Sequence, residues 1–238
     1  MASTVFIVGV LGNIISGLVY LSPLKTFWRI VKKRSTEYFS SIPYILTLMN
    51  AILWIYYGIT KPDSFLIATI NGFGAATQIV YILIFLVFIS PRMRARTALL
   101  VGLLDVGLAA AAILFAHFML QGDVRIDVVG FICDCSGMLA YASPLAAMKT
   151  VITTKSVEFM PFLLTFSTLL NGGFWTLYAL LAKDFLVGVP NGIGFLLGIA
   201  QLILYGIYHR YRPLKKVTDN LEDGLQNDPL IPASDSVS

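Results

Sequence analysis

An asparagine amide inside an apolar helix is costly unless it finds partners, and this sequence places four of them in matched pairs. Asn50, Trp54 and Tyr57 stand at i, i+4 and i+7, which is one face of a helix. Asn171, Trp175 and Tyr178 repeat that spacing at a fixed offset, and Asn71 and Asn191 form a further pair. A neutral amide both donates and accepts hydrogen bonds, as vicinal hydroxyls do. Tryptophan faces suit the apolar C–H faces of a sugar ring. Amides and indoles without charge point to a neutral polyhydroxy ligand rather than an ion or an amino acid. One such asparagine alone would read as interhelical glue; four with two tryptophans in matched positions read as a binding site.

A second constellation is Pro23, Pro43, Pro144 and Pro161, at the same end of four apolar segments. Proline frees a backbone carbonyl and kinks or starts a helix. Proline in a first helical turn is ordinary, but four at one level favour a hinge or gate. At the opposite end, Tyr57 and Asp184 could close the molecule through a phenol–carboxylate bond; a solvated loop aspartate fits the same spacing. Asp105 and Asp134 lie in apolar surroundings, where acids are functional candidates by default, yet neither has a basic partner in sight. Facilitated diffusion is therefore the simpler expectation, with proton coupling through Asp134 the lesser one. Cys133 and Cys135, two apart on one helix, point in different directions and read as packing residues. No metal cluster, cofactor motif, H-E-x-x-H, G-x-S-x-G or paired aspartate supports an enzyme.

The elements that must hold these residues are membrane spans. The chain has 238 residues, 57% hydrophobic and only 13% charged, with a mean hydropathy of +0.80. A soluble fold of this size needs more polar surface. A span takes about 20 apolar residues, and seven runs qualify, near 5–22, 43–59, 65–89, 98–120, 127–148, 161–181 and 185–208. The first carries no basic n-region or cleavage site and is expected to stay as a helix. Lys25, Arg29, Lys32, Lys33, Arg34, Arg92, Arg94, Arg96, Lys149 and Lys155 fall on one side; Lys61, Arg125 and Lys183 fall on the other. The bias puts the basic side and the C-terminus in the cytoplasm and the N-terminus out. It is a topology signal, so nucleic-acid binding is not implied.

Self-comparison shows a repeat. Tyr20-Leu-Ser-Pro-Leu24 recurs as Tyr141-Ala-Ser-Pro-Leu145, Ser35-Thr-Glu37 as Ser156-Val-Glu158, and Asp63 as Asp184. Asn71-Gly-Phe-Gly74 recurs as Asn191-Gly-Ile-Gly194, one residue out of register. The expected fold class is an all-α membrane protein of two parallel three-helix bundles joined by a linker helix. The expected division is a first repeat over 1–97, a linker over 98–120, a second repeat over 121–212 and a disordered tail over 213–238. Three crossings reverse the chain and one more restores it, so the halves should be related by an axis along the membrane normal. That geometry is a documented one for transporters with parallel repeats.

At these residues the chain resembles the plant SWEET sugar transporters of the PQ-loop group, over roughly residues 5 to 212. The resemblance rests on the two Ser-Pro-Leu corners, Pro43, Tyr56-Tyr-Gly58, the two Asn-Gly-x-Gly strings and Lys155-Ser-Val-Glu-Phe-Met-Pro-Phe162. It implies a bidirectional sugar uniporter working by alternating access, with the four prolines as hinges. It implies a pocket of Asn71, Asn191, Trp54 and Trp175, further lined by Ser16, Val19, Asn50, Leu139 and Asn171, and an extracellular or luminal gate of Tyr57 and Asp184. It implies a bilayer-embedded homo-oligomer with no cofactor. Disaccharide-moving members tend to carry smaller residues at Asn50 and Asn171, so monosaccharides are expected. The short tail and the loops look like the vacuolar members, which favour fructose and glucose; the plasma membrane is the alternative. Competing classes are a proton-coupled PQ-loop exporter of amino acids and a seven-helix receptor. The receptor class lacks such a repeat, and its Asp-Arg-Tyr and Asn-Pro-x-x-Tyr motifs are absent.

Overall fold

The computed structural model describes residues 2–37, 39–158 and 160–209, and all the regular structure in them is helical. The expected tail over 213–238 lies outside the described residues. Helices α1 (Ala2–Leu21) and α2 (Leu24–Lys33) form the first crossing, α3 (Ile42–Thr60) the second and α4 (Phe65–Phe88) the third. The fourth joins α5 (Pro91–Val101), a π-helical stretch (Gly102–Leu108) and α6 (Ala109–Met119). The fifth joins α7 (Gly122–Met138), a 3₁₀ turn (Leu139–Tyr141) and α8 (Ala142–Thr154). Helices α9 (Phe162–Ala182) and α10 (Phe185–Tyr208) are the sixth and seventh. By length and composition alone, five of these qualify as spans: Ser3–Lys33, Ile42–Thr60, Phe65–Phe88, Pro91–Met119 and Phe185–Tyr208. The other two are shorter or more polar: α7 holds Asp123, Arg125, Asp127 and Asp134, and α9 holds Thr165, Thr168 and Asn171.

Three boundaries differ from the sequence expectation, each for a local reason. The first crossing does not end near residue 22. The segment after Pro23 is amphipathic, so it folds as α2 with Phe27 and Ile30 buried and its lysines outside. The fourth crossing begins at Pro91 rather than 98, because an arginine-bearing turn opened by Pro91 at the first helical position extends it beyond the apolar run. The fifth is not one helix over 127–148. Pro144 lacks the N–H that would bond the carbonyl of residue 140, and the chain tightens into the 3₁₀ turn just there. Pro23 acts alike in the first crossing, where Ser22 N–H bonds Val19 at 3.1 Å in a short turn. Pro43 sits in the first turn of α3, and Pro161 caps α9.

Packing reproduces the repeat. In the first half α4 packs on both α1 and α3; in the second, α10 packs on both α9 and the α7–α8 rod. The third crossing of each half therefore lies between the other two. Across the halves α1 packs on α9, and α3 packs on α7: first against sixth, second against fifth. A two-fold axis between the halves relates these contacts. The linker lies outside, against α3 and α7. Lipid-facing positions carry exposed apolar side chains, among them Phe6, Leu18, Leu83, Val106, Phe118, Leu163 and Leu196.

Close backbone approach is needed at Gly58: a Cβ there would stand 2.6 Å from the backbone nitrogen of Ala68 on α4. At the basic end, Glu37 folds back on α2, 2.7 Å from Arg29 and 2.5 Å from Lys33. The Lys33 hydrogen bond foremost, then the Arg29 charge, hold its carboxyl below the usual range.

Candidate functional site

A cavity of about 560 Å³ lies between the halves. Helix α3 supplies Asn50 and Trp54 to its wall, α9 supplies Asn171 and Trp175, α4 and α10 supply Asn71 and Asn191, α1 supplies Ser16 and the 3₁₀ turn supplies Leu139. Eight of the nine sequence-expected lining residues thus share one cavity. The ninth, Val19, does not line it. Tyr20 takes that stretch of wall, its ring against Gly74 and its hydroxyl donating to Asn71 Oδ1 at 3.3 Å. Tyr141 holds the matching place in the second half, beside Gly194. The last glycine of each Asn-Gly-x-Gly string leaves room for that tyrosine, which explains the motif. No charged residue lines the cavity among the described residues. Asp105 and Asp134 are buried but outside its lining.

All four asparagines are partly satisfied by protein. Asn71 donates to the Ile67 carbonyl at 2.9 Å and Asn191 to the Val187 carbonyl at 2.8 Å, one turn back on their own helices. Asn50 donates to the Cys133 carbonyl at 3.0 Å and to Ser136 Oγ at 2.7 Å. Asn171 Oδ1 accepts from the Ser16 hydroxyl, and Ser16 Oγ accepts from the Trp175 indole N–H at 2.8 Å. The glue role and the pocket role therefore coexist: Asn50, Asn71 and Asn171 tie helices together with part of their capacity, Asn191 bonds within its own helix, and all four line the cavity.

One end of the cavity is shut. Trp54 and Trp175 cross the rings of Tyr57 and Tyr178 edge-on, with centroids 5.1 and 5.2 Å apart. Beyond them Tyr57 donates to Asp184 Oδ1 at 2.9 Å. Lys61 reaches the same carboxylate at 2.7 Å and donates to the Tyr57 oxygen at 3.0 Å. Asp184 is 2% exposed and also caps α10, accepting from Val187 N–H at 3.3 Å. It is thus a buried closing residue, not a solvated loop aspartate. The matched Tyr178 reaches no carboxylate among the described residues; it donates to the backbone carbonyl of Asp63 at 3.4 Å. In the sequence Lys61 stands out only as a loop charge on the far side; its i+4 spacing from Tyr57 is the signal that marks it for this cluster. The other end is the proline end, where the lining residues Ile42, Pro43, Ala142 and Thr168 are exposed. Thr47 and Thr168, a pair at the repeat offset, were likewise missed.

A neutral cavity with amides set among apolar and aromatic side chains, on a pseudo-two-fold, shut at one end and open at the other, defines a membrane carrier. The family described as "Sugar efflux transporter for intercellular exchange" matches the chain twice, over residues 6–93 and 127–213, one match to each half. The chain is 45% identical to Bidirectional sugar transporter SWEET17 of Arabidopsis thaliana, with 97% of this chain and all of that one covered. It is 47% identical to SWEET16 of the same plant, with the same coverage. A solved eukaryotic SWEET transporter superposes with a TM-score of 0.85 at 38% identity, covering 88% of this chain and 99% of that one. The chain belongs to the SWEET family: it is an integral multi-pass membrane protein and a sugar transporter, not an enzyme.

Proposed function

We propose that the protein is a bidirectional uniporter that carries monosaccharides, fructose or glucose, by alternating access. The observation that carries this reading is the uncharged cavity between the halves, closed by the Lys61–Tyr57–Asp184 cluster and open at the proline end. A neutral lining suits a neutral solute, and the lack of a lining acid among the described residues favours simple diffusion over proton coupling. Asn71, Asn191, Trp54, Trp175, Asn50 and Asn171 contact the sugar, with Ser16 and Leu139 beside them. Pro23, Pro43, Pro144 and Pro161 mark the hinges. The two halves, with 98–120 as linker, rock about them. The basic end faces the cytoplasm, so the arrangement described is the inward-open one. The likeness to SWEET16 and SWEET17 supports the vacuolar membrane as the site of action. Homo-oligomerisation rests on family resemblance and is read by counting photobleaching steps of the labelled protein.

Radiolabelled hexose uptake into proteoliposomes, with and without a proton gradient, tests the function. Equal uptake in both directions and under both conditions is expected. Flux that needs the gradient and vanishes in Asp134→Asn would instead identify a proton-coupled exporter. Asn71→Ala and Asn191→Ala should each abolish uptake while the protein still reaches its membrane, since sugar hydroxyls would be left without partners; undiminished uptake in both removes them from the site.

A further inference from the structure

The pseudo-two-fold pairs Asn50 with Asn171, but the hydrogen-bond network turns their amides in opposite senses. The Cys133 carbonyl can only accept, so the Asn50 atom facing it is the amide nitrogen. Its second contact is Ser136, whose hydroxyl hydrogen is already given to the same Cys133 carbonyl at 2.9 Å, leaving Ser136 Oγ to accept. Both amide hydrogens of Asn50 are thereby engaged, and its Oδ1 is the atom left for a ligand. Across the axis the fixed partner has the opposite character. The Trp175 indole N–H can only donate, so Ser16 Oγ accepts from it and passes its own hydrogen to Asn171 Oδ1. There the carbonyl is engaged and the amide nitrogen is left. Among the described residues the bonds of the two amides engage neither Asn50 Oδ1 nor Asn171 Nδ2, and both residues line the cavity.

The third-crossing asparagines add to the same asymmetry. Tyr20 donates to Asn71 Oδ1, whereas Tyr141 donates to the Pro190 carbonyl instead of to Asn191. Asn191 keeps a free acceptor that Asn71 has lost. The cause is the one-residue register difference between the halves: Tyr141 follows Tyr20 at the offset of the Asn50–Asn171 pair, while Asn191 follows Asn71 at one less.

We propose that the cavity is polarised across its pseudo-two-fold: Asn50 presents an acceptor and Asn171 a donor, fixed by the Cys133 carbonyl and the Trp175 indole, so that sugar binds in one orientation. This rests on the reading of the cavity as the sugar site. One hydroxyl donates to Asn50 Oδ1, and another accepts from Asn171 Nδ2. Ser16, Ser136 and Trp175 act here as positioning residues, setting which atom each amide shows.

Monofluoro and monodeoxy hexoses test the polarity, because carbon-bound fluorine accepts weakly and cannot donate, while carbon-bound hydrogen does neither. Each analogue is used to compete with radiolabelled glucose or fructose for uptake by the purified wild-type protein in proteoliposomes. At the hydroxyl over Asn171, fluorine should be tolerated at least tenfold better than hydrogen. At the hydroxyl over Asn50 both replacements should fail alike. In Asn171→Asp the facing atom becomes an acceptor, and in Ser16→Ala or Trp175→Phe the amide is released to turn. The fluorine-to-hydrogen ratio should collapse towards one in all three, whatever happens to total uptake, and a loss of packing alone would not move that ratio. Equal sensitivity to fluorine and hydrogen at every position of the wild type overturns the proposal, as does an unchanged ratio in Asn171→Asp. A wild-type protein that takes up no hexose at all fails at the earlier step, the function itself, and takes the polarity with it.

Discussion

Asp184 performs three tasks with two oxygens: it accepts from Tyr57, pairs with Lys61 and caps α10. Removing one partner of a buried ion pair costs about 3–5 kcal/mol, less here because Lys61 is 24% exposed. Asp184→Ala should therefore open that end of the cavity. The measurement is maleimide labelling, from the Asp184 side, of a cysteine placed at Ile70 in a chain whose Cys133 and Cys135 are alanine. No labelling is expected with Asp184 present and clear labelling without it; equal labelling would show that another residue closes the end. Gly58 offers a second test. A methyl group there meets the backbone of Ala68 rather than a side chain that can swing away. Overpacking of this kind costs about 1–3 kcal/mol. Gly58→Ala should lower the melting temperature in detergent, while Gly72→Ala, with nothing within 4 Å of the added carbon, should not.

At the scale of the helices, the halves share their contacts but not their filling. Phe27 stacks on Tyr81 with centroids 4.3 Å apart and meets Tyr44 edge-on at 4.9 Å, tying α2, α4 and α3 together at the basic end. The matched positions of the second half hold Met148, Gln201 and Thr165. Those positions carry no rings in the second half, where Phe162 and Tyr205, with centroids 5.3 Å apart, join α9 to α10 but leave α8 out. Phe27→Ala should cost about 3–5 kcal/mol and Met148→Ala, half-buried, less; the order of melting temperatures checks this. The paired breaks at Pro23 and Pro144 are the places where each half can bend. Pro144→Ala restores the missing N–H and lets α7 and α8 fuse. It should slow uptake more than it lowers stability, and unchanged uptake would remove this proline from the hinge.

At the scale of the molecule, ligand size is set by how far the halves stand apart and by what fills the space between them. Asn50 and Asn171 do both, since each spans from one half to the other. Replacing both with serine should widen the accepted substrates towards sucrose, read as labelled sucrose uptake beside hexose uptake. It should also loosen the contact between halves, because Ser16 and Ser136 lose their bonds to the asparagines across the axis. No sucrose entry would mean that pocket size is set elsewhere.

The properties legible from residue order are those that repeat along a helix or from half to half. Apolar runs gave the crossings, and self-comparison gave the two halves. The spacing of Asn50, Trp54 and Tyr57 gave one face of α3, and its copy gave the matching face of α9. Tyr57 and Asp184 were named as a pair, and they do bond. What stayed hidden depends on partners far away in the chain. Val19 lies off the cavity because Tyr20 is drawn to Asn71 on α4. Lys61 joins the closed end because Asp184, more than a hundred residues later, is carried to it. The same is true of the amides. Sequence fixes four asparagines in symmetric places; only the folded chain sets the Cys133 carbonyl against one and the Ser16–Trp175 pair against its twin. A carbonyl cannot donate and an indole N–H cannot accept, so a near-symmetric sequence folds into a site with a direction.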